Sequence, residues 1–133
     1  SGIHPIFQVA PTTTENRLKK IADIASGFLY VVGVEGVTGV RESLGESTLK
    51  LVTRVRRHTD MPLLAGFGIS NRKQAAAVVA AGADGAIAGS AYARIYEKNL
   101  EKPEEMLHEI TDLVREIKQG CIEGYKQRRK YQV

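Results

Sequence analysis

The sequence predicts an α/β fold of four successive βα units around one parallel sheet. Three observations carry this prediction. Short apolar runs recur along the chain, and each is followed by a stretch with helical spacing of its apolar residues. The clearest run, Phe28 to Val32, is apolar throughout, as a parallel strand covered on both faces should be. Two further runs, Pro62 to Ser70 and Ala83 to Ser90, each end in a glycine and a hydroxyl residue immediately before a helix.

The elements follow in order. Ile3 to Ala10 is the first strand, with Pro5 near its start, where a missing N–H matters least. Thr12 and Glu15 have capping-box spacing for the next helix. In that helix Leu18, Ile21, Ala22 and Ala25 share a face, and Gly27 suits its end. Phe28 to Val32 is the second strand. A long connection, Gly33 to Glu46, carries Gly36-Val37-Thr38-Gly39 at its centre. Ser47 is placed to cap a helix with Thr48, Leu51, Val52 and Val55 on one face. The third strand follows Pro62. Ser70 is placed to cap a third helix, whose slim face is Ala75, Val78, Val79 and Gly82. Gly85 to Ala88 is the fourth strand, and a short helix runs from about Ser90 to Lys98. The last helix starts near Pro103 with Glu104 and Glu105 at the favourable end of its dipole. Leu107, Ile110, Val114 and Ile117 are expected on its buried side, and the pattern fades beyond Gly120.

Bulk properties set the class. The 133 residues are 43% hydrophobic and 26% charged, which reads as one soluble, globular unit over residues 1–133. No apolar run approaches the roughly 20 residues of a membrane helix. The lone Cys121 excludes an intrachain disulfide and suits a reducing, cytoplasmic compartment. It lies among polar residues with no adjacent base, so it is not read as a nucleophile. The chain begins at Ser1 rather than Met, so an upstream segment is expected to have been removed or left out. Much of the net charge of +4 sits in Lys126, Arg128, Arg129 and Lys130. A solvated helix end is the reading preferred to a nucleic-acid patch, because no aromatic residues accompany an extended basic stripe.

Right-handed crossovers between four βα units give a four-stranded parallel sheet. Such a sheet is either doubly wound or part of a barrel. Four strands cannot close a barrel, which needs about eight. The chain therefore reads as half of something. Unpaired N–H groups at a helix start attract anions, and glycine lets a phosphate approach the backbone. Gly66-x-Gly68 alone is a weak signal, compatible with a tight turn, and it lacks the third glycine of a dinucleotide fingerprint. Together with Gly89-Ser90 in the next unit, it points to phosphate.

The acids offer no catalytic pair. Asp84 precedes the fourth strand, at the end opposite to where barrel active sites gather, and reads as a turn residue. Glu35 and Glu42 read as solvated loop charges. His4, His58 and His108 lack ligand-type spacing, so no metal site is expected.

Gly36-Val37-Thr38-Gly39, Gly66-Phe67-Gly68-Ile69-Ser70, the run Ala81 to Ser90 and Glu97-Lys98-Asn99 resemble the C-terminal half of the tryptophan synthase alpha subunit. The similarity covers nearly the whole chain from Pro5 onward. It implies strands five to eight of a (β/α)8 TIM barrel. It implies a lyase that reversibly cleaves indole-3-glycerol phosphate to indole and glyceraldehyde 3-phosphate. By that resemblance the phosphate is bound at Gly39, Gly68, Gly89 and Ser90. Tyr30, Phe67 and Ile87 line the indole pocket, and Thr38 rides on a mobile loop. Gln8 departs from the family, which usually places an apolar pocket residue there. The family's catalytic Glu and Asp belong to the N-terminal half, so no catalytic residue is expected here and the chain alone should be inert. No cofactor is expected in this chain. PLP belongs to the beta subunit, the partner that receives the indole.

The implied partners are the missing N-terminal half and, for the full protein, the beta subunit. Affinity of this half alone for the latter should be weak. A rival reading is a non-catalytic half-barrel that binds phosphorylated ligands and pairs with a second copy of itself. Four strands leave two raw edges and an apolar inner face, which makes a lone half marginal or oligomeric. Another phosphate-binding barrel, such as an indoleglycerol phosphate synthase, is disfavoured by the Gly36 to Gly39 loop.

Overall fold

The computed structural model describes residues 2–33, 45–66 and 68–130. Among the described residues strands and helices alternate up to α4, and a second helix follows it: β1 (Phe7–Val9), α1 (Glu15–Ile24), β2 (Leu29–Val32), α2 (Glu46–Arg56), β3 (Leu63–Gly66), α3 (Arg72–Ala81), β4 (Gly85–Ile87), α4 (Gly89–Lys98) and α5 (Pro103–Lys130). The strands are parallel and ordered β1-β2-β3-β4. Sequential order means every right-handed crossover steps the same way, so the helices gather on one face. A doubly wound sheet would reverse its order at a switch point. This one does not, and its sequential order is that of a barrel segment.

The two faces differ. Val9, Leu29, Val31, Leu63 and Ala65 are fully buried beneath the helices. On the other face Gln8 is exposed, while Tyr30, Val32, Leu64 and Ile87 are half-buried. The register stacks these into rows: Gln8, Tyr30, Leu64 and Gly85, then Val32, Gly66 and Ile87. Among the described residues no helix is long and apolar enough to cross a membrane.

Helix faces follow the periodicity. Leu18 and Ile21 of α1, and Thr48, Leu51, Val52 and Val55 of α2, are buried as their spacing predicts. The caps are different. The Thr14 hydroxyl, not that of Thr12, caps α1 by accepting from the Arg17 N–H at 3.4 Å. Its neighbour Thr13 is already used by the preceding turn, where it accepts from the Ala10 N–H at 3.0 Å. Gly45 occupies the cap position of α2, which places Ser47 inside the first turn. Asn71 caps α3, leaving Ser70 one residue outside.

The last helix departs furthest from expectation. It runs without a break through Gly120 and Gly124 to Lys130. Its packed side is Leu113, Ile117, Gly120 and Gly124, whereas Leu107 and Val114 are 68% and 49% exposed. The glycines explain the choice. A methyl at Gly120 would strike the Arg72 carbonyl oxygen and stand 3.0 Å from Cβ of Ala75. One at Gly124 would strike the Ala76 carbonyl oxygen and stand 2.9 Å from Cβ of Val79. The small face brings α5 against the backbone of α3, so the bulkier stripe is turned aside. Arg72 of α3 closes the same seam by donating to the Glu123 carboxylate from Nε at 3.1 Å and also from a terminal nitrogen.

Asp84 ties the N-terminal ends of the strands together, as a turn residue. Its carboxylate accepts from the Leu63 N–H at 2.9 Å and from Arg56 at 2.5 Å. Arg56 also donates to the carbonyls of Gly82, Thr59 and Met61. Arg128 of α5 donates to the Ala83 carbonyl at 3.2 Å and lies 3.6 Å from the Asp84 carboxylate.

Gly120→Ala and Gly124→Ala should each lower stability by about 1–3 kcal/mol, as overpacking does. Urea unfolding checks this, and unchanged midpoints would contradict the seam. Glu123 is held below the usual carboxylate range, first by its hydrogen bond from Arg72. A lowered folded-state pKa stabilises above the unfolded value of about 4.3 and fades as pH falls through the lowered one. Glu123→Gln should therefore be less stable than the parent at pH 7, with the gap narrowing as the pH falls below the unfolded value. A gap independent of pH would contradict this.

Candidate functional site at the C-terminal strand ends

β3 and β4 lie side by side, with Gly66 paired to Ile87. Their following turns therefore emerge together, and each opens a helix. After β3, Gly68 takes φ +77°, a left-handed turn that glycine allows without strain. Ile69, 1% exposed, pins the turn into the core. The buried Gln74 side chain accepts from the Ser70 N–H at 2.8 Å and from its hydroxyl at 3.1 Å. The Asn71 side chain in turn accepts from the Gln74 N–H at 2.9 Å. The β3 turn is thus held by its own hydrogen bonds.

The β4 turn is open. Ala88, at the cap of α4, offers no side-chain hydrogen bond. Gly89 and Ser90 are exposed, and among the described residues a methyl at Gly89 would meet nothing within 4 Å. The first N–H groups of a helix have no intrahelical partner and sit at the positive end of its dipole. Among the described residues no side chain caps them, so the arrangement can hold an anion beside the Ser90 hydroxyl.

The open face adjoins this turn. The Tyr30 ring lies across Gly66, and a methyl there would stand 2.8 Å from Tyr30 Cζ. Tyr30 and Ile87 therefore flank Gly66 from either side. Gln8 sits beside Tyr30 in the register, a polar group on an otherwise apolar wall. Gly66 is a shaping residue that the sequence reading passed over as part of a turn. Its signal was a glycine inside a strand, which marks close approach by another group.

The structure thus brings Gly68, Gly89, Ser90, Tyr30 and Ile87 to one end of the sheet. Thr38, Gly39 and Phe67 lie outside the described residues, as do Glu35 and Glu42. No described strand carries a carboxylate. Among the described residues no three His, Cys, Asp or Glu side chains converge as a metal site would need. His58 is 2.6 Å from Glu15, and His4 is 2.8 Å from the Ser26 hydroxyl, both away from the open turn.

A family model described as tryptophan synthase alpha chain matches residues 1–122. The chain belongs to the tryptophan synthase alpha chain family. The alpha chain of Methanopyrus kandleri is 48% identical over 126 residues, covering 95% of this chain and 46% of that one. That of Methanosarcina mazei is 48% identical over 123 residues, covering 92% and 43%. Among solved structures, a mutant tryptophan synthase alpha-subunit from the hyperthermophile Pyrococcus furiosus superposes with a TM-score of 0.75 at 31% identity, covering 87% of this chain and 45% of that one. The chain spans about half the length of the curated relatives it matches. The fold is accordingly four βα units of a tryptophan synthase alpha barrel.

Proposed function

We propose that this chain is the phosphate-binding half of a carbon–carbon lyase that cleaves indole-3-glycerol phosphate to indole and glyceraldehyde 3-phosphate in tryptophan biosynthesis. The observation that carries the reading is the uncapped start of α4 beside the open Tyr30–Ile87 face, in a chain of this family. The phosphate would rest on the N–H groups of Gly89 and Ser90 and the Ser90 hydroxyl, with the Gly68 turn and Gly39 closing round it. Tyr30, Phe67 and Ile87 would wall the indole, with Gln8 at its margin and Thr38 on the covering loop.

The cleavage needs a proton delivered to indole C3 and charge stabilisation at the ring nitrogen, which calls for two placed carboxylates. No described strand offers one, in keeping with both belonging to the missing N-terminal half. This chain then positions substrate and excludes water, and alone it is inert. It uses no cofactor. The PLP of the full system belongs to the beta subunit, which binds the completed alpha barrel and receives indole. The compartment is the cytoplasm.

The test is an aldol-cleavage assay with and without the N-terminal half of a relative. Activity only in the mixture is expected, and activity of the chain alone would overturn the division of roles. Ser90→Asp separates binding from folding. A carboxylate in the first turn of α4 suits the dipole, so stability should hold or rise by about 0.3–1 kcal/mol. The same charge repels phosphate, so substrate affinity in the mixture should fall at least tenfold. Unchanged affinity would remove Ser90 from the site.

A further inference from the structure

The last turns of α5 gather a cationic cluster that the site at the α4 start does not use. Tyr125, Arg128 and Arg129 follow the residues 1–122 that the family model matches. With Arg56 and Asp84 they line a cavity of about 410 Å³, within the size range of small-molecule sites. It lies at the N-terminal ends of the strands, whereas Gly89 and Ser90 stand at the C-terminal ends. Its walls are the end of α2, the turn before β4 and the end of α5, so this chain forms it alone. Three guanidinium groups face one carboxylate there, which leaves two positive charges unbalanced.

Two of the three arginines are held in place. Arg56 commits four of its five N–H groups to the carbonyls of Gly82, Thr59 and Met61 and to the Asp84 carboxylate. Arg128, its side chain only 18% exposed, donates to the Ala83 carbonyl and sits 5.3 Å from the centre of the Tyr125 ring. Arg129 is exposed and has no hydrogen bond or ion pair among the described residues. The helix dipole favours cations at this end of α5, but it does not call for a third guanidinium from α2 in the same cavity. A guanidinium fork matches phosphate oxygens with two parallel N–H groups. Donors already fixed by the fold lose little freedom on binding. We propose that this cavity is a second anion site, which takes the diphosphate group of a small molecule. Arg129 is its main contact, with Arg128 and the remaining N–H of Arg56 beside it. A diphosphate carries oxygens on two phosphorus atoms, so it can meet more than one fork, and its charge matches the unbalanced pair.

Titration calorimetry with inorganic pyrophosphate tests the site, at about 0.15 M salt so that distant exposed charges are screened. The starting chain is Ser90→Asp, whose added carboxylate also repels anions from the α4 start. Pyrophosphate should bind it at a single site. Arg129→Gln in that chain, at an exposed position, should weaken the affinity at least tenfold. Arg129→Lys, which keeps the charge without the fork, should fall between. Pyrophosphate should also raise the urea midpoint of Ser90→Asp and leave that of the Arg129→Gln chain unmoved, a reading that carries its own check of folding. No binding to Ser90→Asp, or unchanged affinity in Arg129→Gln, overturns the site. Equal affinity for succinate overturns the diphosphate group. Tighter binding of a short thymidine oligonucleotide, with a steeper salt dependence, overturns the small ligand in favour of a nucleic acid. Each of these results leaves the lyase assay untouched, because that assay reads the other end of the sheet.

Discussion

The sequential order of parallel strands is the constraint on which this structure depends. It sends every crossover helix to one side and, among the described residues, leaves the other side of the sheet without a helix. Tyr30, Val32, Leu64 and Ile87 look outward from that side, and β1 and β4 are the edge strands of the described sheet. Open edges and apolar faces invite another chain. The strands have the composition of elements covered twice, yet they are covered once. A sequence built for two covers is what half of a barrel should carry, and the relatives are about twice as long.

Two devices hold the half together without the other. The glycine seam lets α5 lie on the backbone of α3, close enough that the Arg72–Glu123 pair spans it. Asp84, Arg56 and Arg128 bind the opposite end of the sheet, tying α2, the start of β3, the turn before β4 and the last turns of α5. Both devices lie on the helix side or at the N-terminal strand ends. At the C-terminal ends the α4 start, uncapped among the described residues, meets the Tyr30–Ile87 wall.

Much of this was legible in the sequence. The Leu18–Ile21 and Leu51–Val52–Val55 faces follow directly from helical spacing. Gly89 and Ser90 open α4, within a residue of the helix start that the glycine and hydroxyl mark. Caps were not legible, because Thr12, Thr13 and Thr14 are chemically alike and only the preceding turn decides which hydroxyl is free. The face of α5 was misjudged in part: Ile117 is buried as its spacing predicts, whereas Leu107 and Val114 are exposed, for a physical reason. Counting bulk favours Leu107 and Val114, but packing favours the side where two glycines permit the closest approach. Nor does an all-apolar strand such as Leu29–Val32 declare that one of its faces is bare. The role of Gly66 needs the Tyr30 ring in view.

The central claim is that this chain is completed by a different half. Native mass spectrometry of the chain mixed with the N-terminal half of a relative tests it most directly. The account predicts a one-to-one complex that forms at the expense of any self-associated species. A mixture in which each half keeps its own mass, or a homodimer that persists in excess partner, would contradict it.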